Sequence, residues 1–328
     1  MYIVVKYLVL GIDVNTRIVE LQSSSIILSL GLFGKTKHNV LEDVREVKSF
    51  RLILVDTSTY DIVEVKRGCR LKFLNIGLKA CPGEKVASIT SRGGFIEVNI
   101  VRELCFREVG DTTGFCVRHR GGEYSKYLRV VFGYNTKEDK SIGLAMIPHM
   151  LYALTPGINV IKVGIANMVK NIGRIFEQVF IYASPLCILD TVYHARRLEI
   201  ALAKRRNVVE RITLREKIAK LRNSVGELQR VLKNFVTTLA TDIIPVIKDV
   251  LASKQIKQYI PVLRFETRYL MYISSSIPIL SPSDIPLDTV LEVEDYAPGG
   301  IVLSRGSDRF FLPFDTIRDR IIKLNVVS

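Results

Sequence analysis

The feature that most constrains the fold is a run of apolar residues that alternates at spacings of four and three. Its members are Leu214, Ile218, Leu221, Val225, Leu228, Leu232, Phe235 and Leu239. This period places all of them along one side of an α-helix, at the two seam positions of a heptad repeat. Thr213 and Glu216 have the spacing of a capping box, so the sequence predicts that the helix begins there.

Two arrangements would bury this apolar face. Pro185 suits the first turn of an earlier helix extending to about Val209, and the two helices would then fold back as an antiparallel hairpin or bundle within one chain. The alternative is a coiled coil between chains. Val231 and Val236 widen the apolar face beyond a coiled-coil seam, which favours the hairpin. Ile158–Val179 also has helical spacing.

The flanking regions have a different pattern. Residues 2–135 contain short β-branched runs separated by turn residues, including one over Tyr127–Phe132. After Pro261 the chain again reads as strands, closed by a short helix from about Asp315 to Leu324. The predicted fold class is therefore α+β: a β-rich N-terminal domain (1–140), a central basic helical hairpin or bundle with the heptad pattern (141–260), and a small C-terminal α+β module (261–328).

The charge of the chain is strongly basic. Its 47 Lys and Arg residues exceed the 33 Asp and Glu residues by 14, which favours an anionic partner, most often nucleic acid. Half of this excess lies between residues 196 and 222, which predicts a helical surface that binds the phosphate backbone. The residues assigned to that surface are Arg196, Arg197, Lys204, Arg205, Arg206, Arg211, Arg215, Lys217 and Arg222. The alternatives are a solvated helix face and a site for a membrane or protein partner.

Residues 116–129 form a second basic segment. Guanidinium groups pair with phosphates, tyrosine rings stack on unpaired bases, and the flexible Gly121–Gly122 pair lets a backbone approach closely. The nucleic-acid-binding residues predicted in this segment are Arg118, Arg120, Tyr124, Lys126, Tyr127 and Arg129. The alternative is a hairpin turn with ordinary surface charge.

Catalytic motifs are scarce. The chain has no GxxxxGK[ST] loop, no GxSxG elbow and no GxGxxG after a strand, so nucleotide-dependent and serine-hydrolase chemistry have no support. Asp13 and Asp56 each follow an apolar predicted strand, and such carboxylates hold two Mg²⁺ ions in nucleases of the ribonuclease-H-like type. Asp190 is the candidate third carboxylate. Outside this alternative, the sequence predicts no catalytic residue and no cofactor.

The cysteines and histidines predict no metal site. The five cysteines include no CxxC pair and the four histidines lie far apart in sequence, which indicates isolated thiols in a reducing compartment.

The longest apolar stretch, Gly143–Val169, is interrupted by Pro148, Pro156 and Lys162, so no transmembrane segment is predicted. The chain also lacks the start of a signal peptide, and the expected location is cytoplasmic.

These observations lead to one favoured function and two alternatives. The favoured function is a non-catalytic RNA- or DNA-binding scaffold, or a subunit of a larger assembly, that uses its basic helical segment. A metal-dependent nuclease is the first alternative. The second is a structural coiled-coil protein that self-associates, or binds a protein partner, through the heptad face.

Overall fold

A computed structural model describes most of the chain. The described residues are 5–15, 44–47, 49–56, 62–92, 95–109, 114–133, 137–167, 173–250, 262–265, 270, 273, 277–297 and 299–327.

The strands, in chain order, are β1 (Val5–Asn15), β2 (Val44–Val47), β3 (Ser49–Asp56), β4 (Ile62–Val65), β5 (Arg70–Ala80), β6 (Glu84–Arg92), β7 (Phe95–Glu103), β8 (Glu108–Val109), β9 (His149–Gly157), β10 (Val160–Asn167), β11 (Tyr182–Leu189), β12 (Val208–Val209), β13 (Val262–Phe265), β14 (Val290–Ala297), β15 (Gly300–Arg305), β16 (Asp308–Pro313) and β17 (Arg320–Val327).

The helices are α1 (Glu123–Phe132), α2 (Gly143–Met146), α3 (Gly173–Phe176), α4 (Val192–Leu202), α5 (Leu214–Ser224), α6 (Leu228–Thr238), α7 (Ile244–Val250) and α8 (Phe314–Ile317). A 3₁₀ turn, Val225–Glu227, joins α5 to α6, and a π turn, Leu239–Ile243, joins α6 to α7. Helices α5, α6 and α7 therefore form one long helical segment.

The described strands form two large sheets and one separate hairpin. The first sheet has the order β16-β15-β14-β5-β17-β1-β3-β4, with β8 paired to β5. The second has the order β12-β10-β9-β11-β13-β2, and β6 pairs with β7 alone. Both large sheets take strands from distant parts of the chain: β17 lies between β5 and β1, and β2 pairs with β13.

The predicted fold class is wrong because the central region is built on a sheet. The segment predicted to be helical from Ile158 contains β10, and Pro185 lies inside β11, where it pairs with Tyr152 of β9. β9 is buried along its whole length and β11 along much of it, so their residues read as continuous apolar runs. Such runs do not distinguish a buried strand from a buried helix. The ladder shifts register just after Pro185, which accommodates its missing N–H donor.

The heptad segment is helical, as predicted, but it does not form a hairpin or bundle. The Thr213 side chain accepts a hydrogen bond from the Glu216 amide and the Glu216 carboxylate accepts one from the Thr213 amide, which confirms the predicted capping box. Ile218, Leu221 and Phe235 are buried in a core shared with the second sheet. Because this face packs within the chain, it is not exposed for an intermolecular coiled coil.

Two further local predictions are corrected. The strand expected over Tyr127–Phe132 is part of α1, whose buried residues include Tyr127 and Val130 at helical spacing. The helix expected from Asp315 to Leu324 is limited to α8, and β17 follows it from Arg320. Where the structure describes the chain, it contains no helix both long and apolar enough to cross a membrane.

Candidate functional site: a basic cleft and a Cys/His cluster

A cleft of about 720 Å³ opens between the β6–β7 hairpin, α1, β10 and α5. This volume falls in the range of small-molecule sites, roughly 300–1,000 Å³. Its basic lining residues are Lys85, Arg102, Lys162, Arg174, Arg196, Arg211, Lys217 and Arg318. Its acidic lining residues are Glu199, Glu210, Asp315 and Asp319. Eight basic and four acidic side chains make the cleft positive, so it favours an anionic ligand.

Lys217 is the most unusual group in this cleft. Its side chain projects from α5 and the residue is only 7% exposed. Nζ donates a hydrogen bond of 3.0 Å to Gln178 Oε1, and the same amide donates to the hydroxyl of Tyr152. Among the described residues no carboxylate oxygen lies within 4.0 Å of Nζ, so the hydrogen-bond partner of the ammonium group is neutral, and the Asp315 carboxylate of the same cleft acts on it only from a greater distance.

Neighbouring cations add to the positive potential around Lys217. The Lys162 ammonium, which lines the same cleft, lies 5.5 Å from the centroid of the Tyr152 ring. Burial is the main cause that lowers the pKa of Lys217 from its ordinary value of 10.5 to about 7. Repulsion from Lys162 and Arg174 adds to this shift, and attraction to Asp315 opposes it in part. The pair Lys162–Lys217 is therefore a cationic site that an anion would stabilise.

The arginines deeper in the cleft are compensated by carboxylates. Arg174 and Arg318 both donate to the buried Glu177 carboxylate. Arg196 forms ion pairs with Glu199 and Glu210. The first set joins α3 to the segment after α8, and the second joins α4 to the segment after β12. Within the part of the chain that the structure covers, Lys162 and Lys217 form no such ion pair.

The opposite wall belongs to the β6–β7 hairpin and α1. Lys85 and Arg102 face each other across the hairpin, and Lys85 Nζ lies 4.2 Å from the centroid of the Tyr124 ring. Arg102 Nε is buried without a hydrogen-bond partner among the described residues, and burial lowers the pKa of this guanidinium. Phe132, at the end of α1, lines the cleft and is 60% exposed. This wall thus combines cations with an accessible aromatic ring.

The basic residues predicted to form one helical surface between residues 196 and 222 do not lie on one helix. α4 ends at Leu202, and a turn followed by β12 separates it from α5, so the cations lie on different elements. Arg196 is buried in ion pairs and Lys217 in the cleft. Arg211 lies at the cleft rim, where Nη2 donates to the Phe132 carbonyl at 2.7 Å.

The remaining residues of the predicted basic surface are dispersed. Arg222 donates to the backbone carbonyls of residues 273 and 277, and Arg197 lies 3.8 Å from Glu138. Arg215 is exposed on α5. The exposed cations of the turn after α4 are Lys204, Arg205 and Arg206.

The second predicted patch divides between the cleft and the surface. Tyr124 and Tyr127 line the cleft, stacked with ring centroids 6.2 Å apart. Tyr127 also hydrogen-bonds His149, whose pKa burial lowers to about 4, so this pair is neutral. The cations of the patch lie outside the cleft: Arg118 pairs with Glu103, Arg129 donates to the carbonyl of Arg120, and Lys126 is exposed.

The backbone positions of Asp13 and Asp56, the first two residues of the nuclease alternative, lie far apart in the first sheet. β1 and β3 are antiparallel, with Asp13 opposite Arg51 and Asp56 opposite Tyr7. Six residues of strand separate the two positions, which is about 20 Å. Asp190 follows β11 in the other large sheet. Two-metal sites hold their ions about 4 Å apart, so these three backbone positions do not support the nuclease alternative.

The structure brings three cysteines and one histidine together, which the sequence-based prediction of isolated thiols missed. This group, the Cys/His cluster, consists of Cys81, Cys105, Cys116 and His119. Its four potential ligand atoms all lie within 4.8 Å of one another. The spacings along the chain match no familiar metal motif, because the ligands come from three segments that only the fold brings together. Cys69 and Cys187 lie outside the cluster.

The local backbone explains the position of each member. Cys81 follows β5 in a turn with Gly83 at φ +73°, and a Cβ at Gly83 would lie 1.9 Å from the carbonyl oxygen of Glu103. This close approach brings Cys81 beside Cys105, which follows β7. Cys116 and His119 lie in one turn, in which the His119 amide donates to the Cys116 carbonyl at 3.0 Å.

The thiols of the cluster differ in acidity. Burial raises the pKa of Cys116, but hydrogen bonds from the backbone amide of His119 and from the side chains of Cys81 and His119 outweigh it and lower the pKa to about 7. Burial raises the pKa of Cys81 to about 11.

No protein-family model, curated protein or solved structure matches the chain.

Proposed function

We propose that the protein binds nucleic acid without catalysis, and that one phosphate group of the strand occupies the basic cleft beside Lys162 and Lys217. The observation that carries this proposal is the buried ammonium of Lys217 without a carboxylate partner in the described structure. Proteins pair their buried charges, because an unpaired buried ion costs several kcal/mol. A phosphate oxygen would supply the missing negative charge for Lys217 and for the neighbouring Lys162.

The aromatic ring at the cleft rim favours a nucleotide over a simple anion. Phe132 exposes most of its side chain next to the Arg211 guanidinium, at the mouth of a cavity that is positive inside. Exposed aromatic rings beside cations are the usual platforms for unpaired bases. A base stacked on Phe132 would direct its phosphate into the cleft, an arrangement that suits a single strand better than a duplex.

The exposed turn after α4 extends this basic surface. Glu210 and Arg211 line both the cleft and a neighbouring depression that also includes Lys204. Arg205 and Arg206 lie in the same exposed turn. A nucleic-acid strand that leaves the cleft past Arg211 would pass this turn. Contacts between the turn and the phosphates would be exposed to solvent and therefore sensitive to salt.

Fluorescence anisotropy with labelled single-stranded RNA and DNA oligonucleotides tests the cleft. Lys162→Gln with Lys217→Gln is expected to weaken binding at least about tenfold at moderate salt, because the cleft loses both uncompensated cations. The matched control is Lys233→Gln with Lys248→Gln, which removes the same charge from exposed positions on α6 and α7. Equal weakening by both pairs would contradict a specific role of the cleft.

Two further variants separate the contributions to binding. Phe132→Ala is expected to weaken single-strand binding by about 1–3 kcal/mol, the usual loss of one stacked base, while Phe132→Tyr retains it. Lys204→Gln with Arg205→Gln is expected to make the affinity less dependent on the salt concentration. The affinity measured at high salt should change less, because these phosphate contacts are already screened there. If neither RNA nor DNA binds to the wild-type protein, the proposed function is wrong.

A further inference from the structure

The ligand atoms of the Cys/His cluster all lie within 4.8 Å of one another, and three of their separations are close to those of a tetrahedral metal site. His119 Nδ1 lies 3.4 Å from both Cys81 Sγ and Cys116 Sγ, and the Cys105 and Cys116 sulfur atoms are 4.0 Å apart. A zinc ion with bonds of about 2.3 Å to sulfur and about 2.0–2.1 Å to nitrogen places its ligands about 3.5–3.8 Å apart. The sulfur atoms are too far apart for a disulfide bond, whose length is about 2.05 Å.

The second nitrogen of His119 provides independent support. His119 is 4% exposed, and its Nε2 atom has no hydrogen-bond partner among the described residues although it faces Glu103 Oε1 at 3.7 Å. That distance is within reach of an ion pair but too long for a hydrogen bond. Arg118 holds the same carboxylate oxygen at 2.8 Å. If Nδ1 binds a metal, Nε2 carries the proton and points towards Glu103, the arrangement by which carboxylates orient metal-binding histidines.

We propose that the Cys/His cluster binds one structural Zn²⁺ ion in a tetrahedral Cys₃His site. Thiolate and imidazole ligands in this geometry select zinc over Mg²⁺ and Ca²⁺, which prefer oxygen ligands. Four protein ligands fill the tetrahedron and leave no position for a substrate, so the ion has a structural role. Binding converts the coordinating thiols to thiolates and releases their protons to solvent.

The site would join three segments that carry one wall of the basic cleft. Cys81 precedes β6, Cys105 follows β7, and His119 precedes α1. These elements supply Lys85, Arg102, Tyr124 and Tyr127 of the cleft. The zinc proposal does not depend on the proposed ligand of the cleft, because the cluster is outside the cleft lining.

Metal analysis of the purified full-length protein tests the site. Inductively coupled plasma mass spectrometry is expected to find about one zinc ion per chain in the wild type and in Cys187→Ser, the matched control outside the cluster. Cys105→Ser and His119→Ala are expected to lose it. The cleft variant Lys162→Gln with Lys217→Gln is expected to keep its zinc, which separates this proposal from the nucleic-acid proposal.

A second measurement applies even if the serine and alanine variants fail to fold. Cobalt(II) added to zinc-free wild-type protein is expected to show the visible bands of a tetrahedral site with thiolate ligands. His119→Cys is expected to retain a metal and to strengthen the thiolate-to-cobalt absorption, because it adds a fourth thiolate. Glu103→Gln is expected to weaken zinc binding about 10- to 100-fold in competition with a chelator, while the exposed Glu108→Gln has no effect.

Three results would overturn the zinc site. One is a wild-type protein that contains no zinc and does not bind added Zn²⁺ or Co²⁺. Another is equal zinc content in Cys105→Ser and Cys187→Ser. The last is a Cys105–Cys116 disulfide, found by mass spectrometry in metal-free protein purified under reducing conditions.

Discussion

At the scale of single residues, Lys217 connects the stability of the protein to its proposed ligand. A lysine on α5 was expected at the surface, because the sequence places it in a basic segment. The fold buries it and leaves it with a neutral amide partner. Burial of an ammonium group is unfavourable, and the proposed phosphate would offset this cost.

The pH dependence of stability follows from the lowered pKa of Lys217. The unfolded chain keeps this proton up to about pH 10.5, whereas the folded protein releases it near pH 7. Between these values the unfolded state binds more protons, so the free energy of unfolding contributed by this residue rises with pH. Denaturant unfolding at about pH 6.5, below this window, and at about pH 9, inside it, is expected to show a rise that Lys217→Met lacks.

Ligand binding has the opposite pH dependence. A phosphate stabilises the charged form of Lys217, so oligonucleotide affinity is expected to decrease as the pH rises through about 7. The exposed control Lys233→Met should leave both pH profiles unchanged. A wild-type stability profile identical to that of Lys217→Met would show that this lysine is not buried as described.

At the scale of elements, the helix start was predictable from sequence and the strands of the central region were not. A capping box is local: Thr213 and Glu216 satisfy each other's amides within four residues of chain. The identity of β9, β10 and β11 depends on which neighbours cover both faces of the sheet. The spacing of apolar residues along these segments therefore does not distinguish a strand from a helix.

The capping box supports a specific stability prediction. Thr213→Ala is expected to lower the free energy of unfolding by about 1 kcal/mol, because α5 loses the side-chain acceptor for the Glu216 amide. Thr237→Ala, an exposed position inside α6, is the control and should change stability by less than about 0.5 kcal/mol. Chemical denaturation measures both variants, and a larger loss from Thr237→Ala would contradict the assignment of the cap.

At the scale of the whole molecule, strands from both ends of the chain share the same sheets. β17 pairs with β1 and β5, and β13 pairs with β2, so each sheet contains neighbouring strands that are far apart in the sequence. The β6–β7 hairpin is not paired with either large sheet among the described strands. The hairpin packs against α1, where the Tyr124 amide donates to the Glu84 carboxylate at 2.7 Å. The proposed zinc ion would add a further link between this hairpin, the end of β5 and the turn before α1.

Metal removal tests this role. A strong chelator is expected to lower the melting temperature of the wild-type protein by at least about 5 °C, since zinc binding stabilises the folded state and not the unfolded chain. Limited proteolysis of the zinc-free protein should cut first within residues 81–120. The same chelator should not change the melting temperature of Cys105→Ser. Unchanged stability of wild-type protein shown by metal analysis to be zinc-free would rule out a structural ion.

The sequence by itself determined the properties that depend on neighbours along the chain. These are the basic excess, the capped helix at Thr213 and its apolar face, each set by residues a few positions apart. Tertiary structure alone decided what that face packs against, which cations are neutralised and where the cysteines meet. Cys81 and His119 are 38 residues apart and in contact, a proximity that arises only when the β6–β7 hairpin and α1 are packed together.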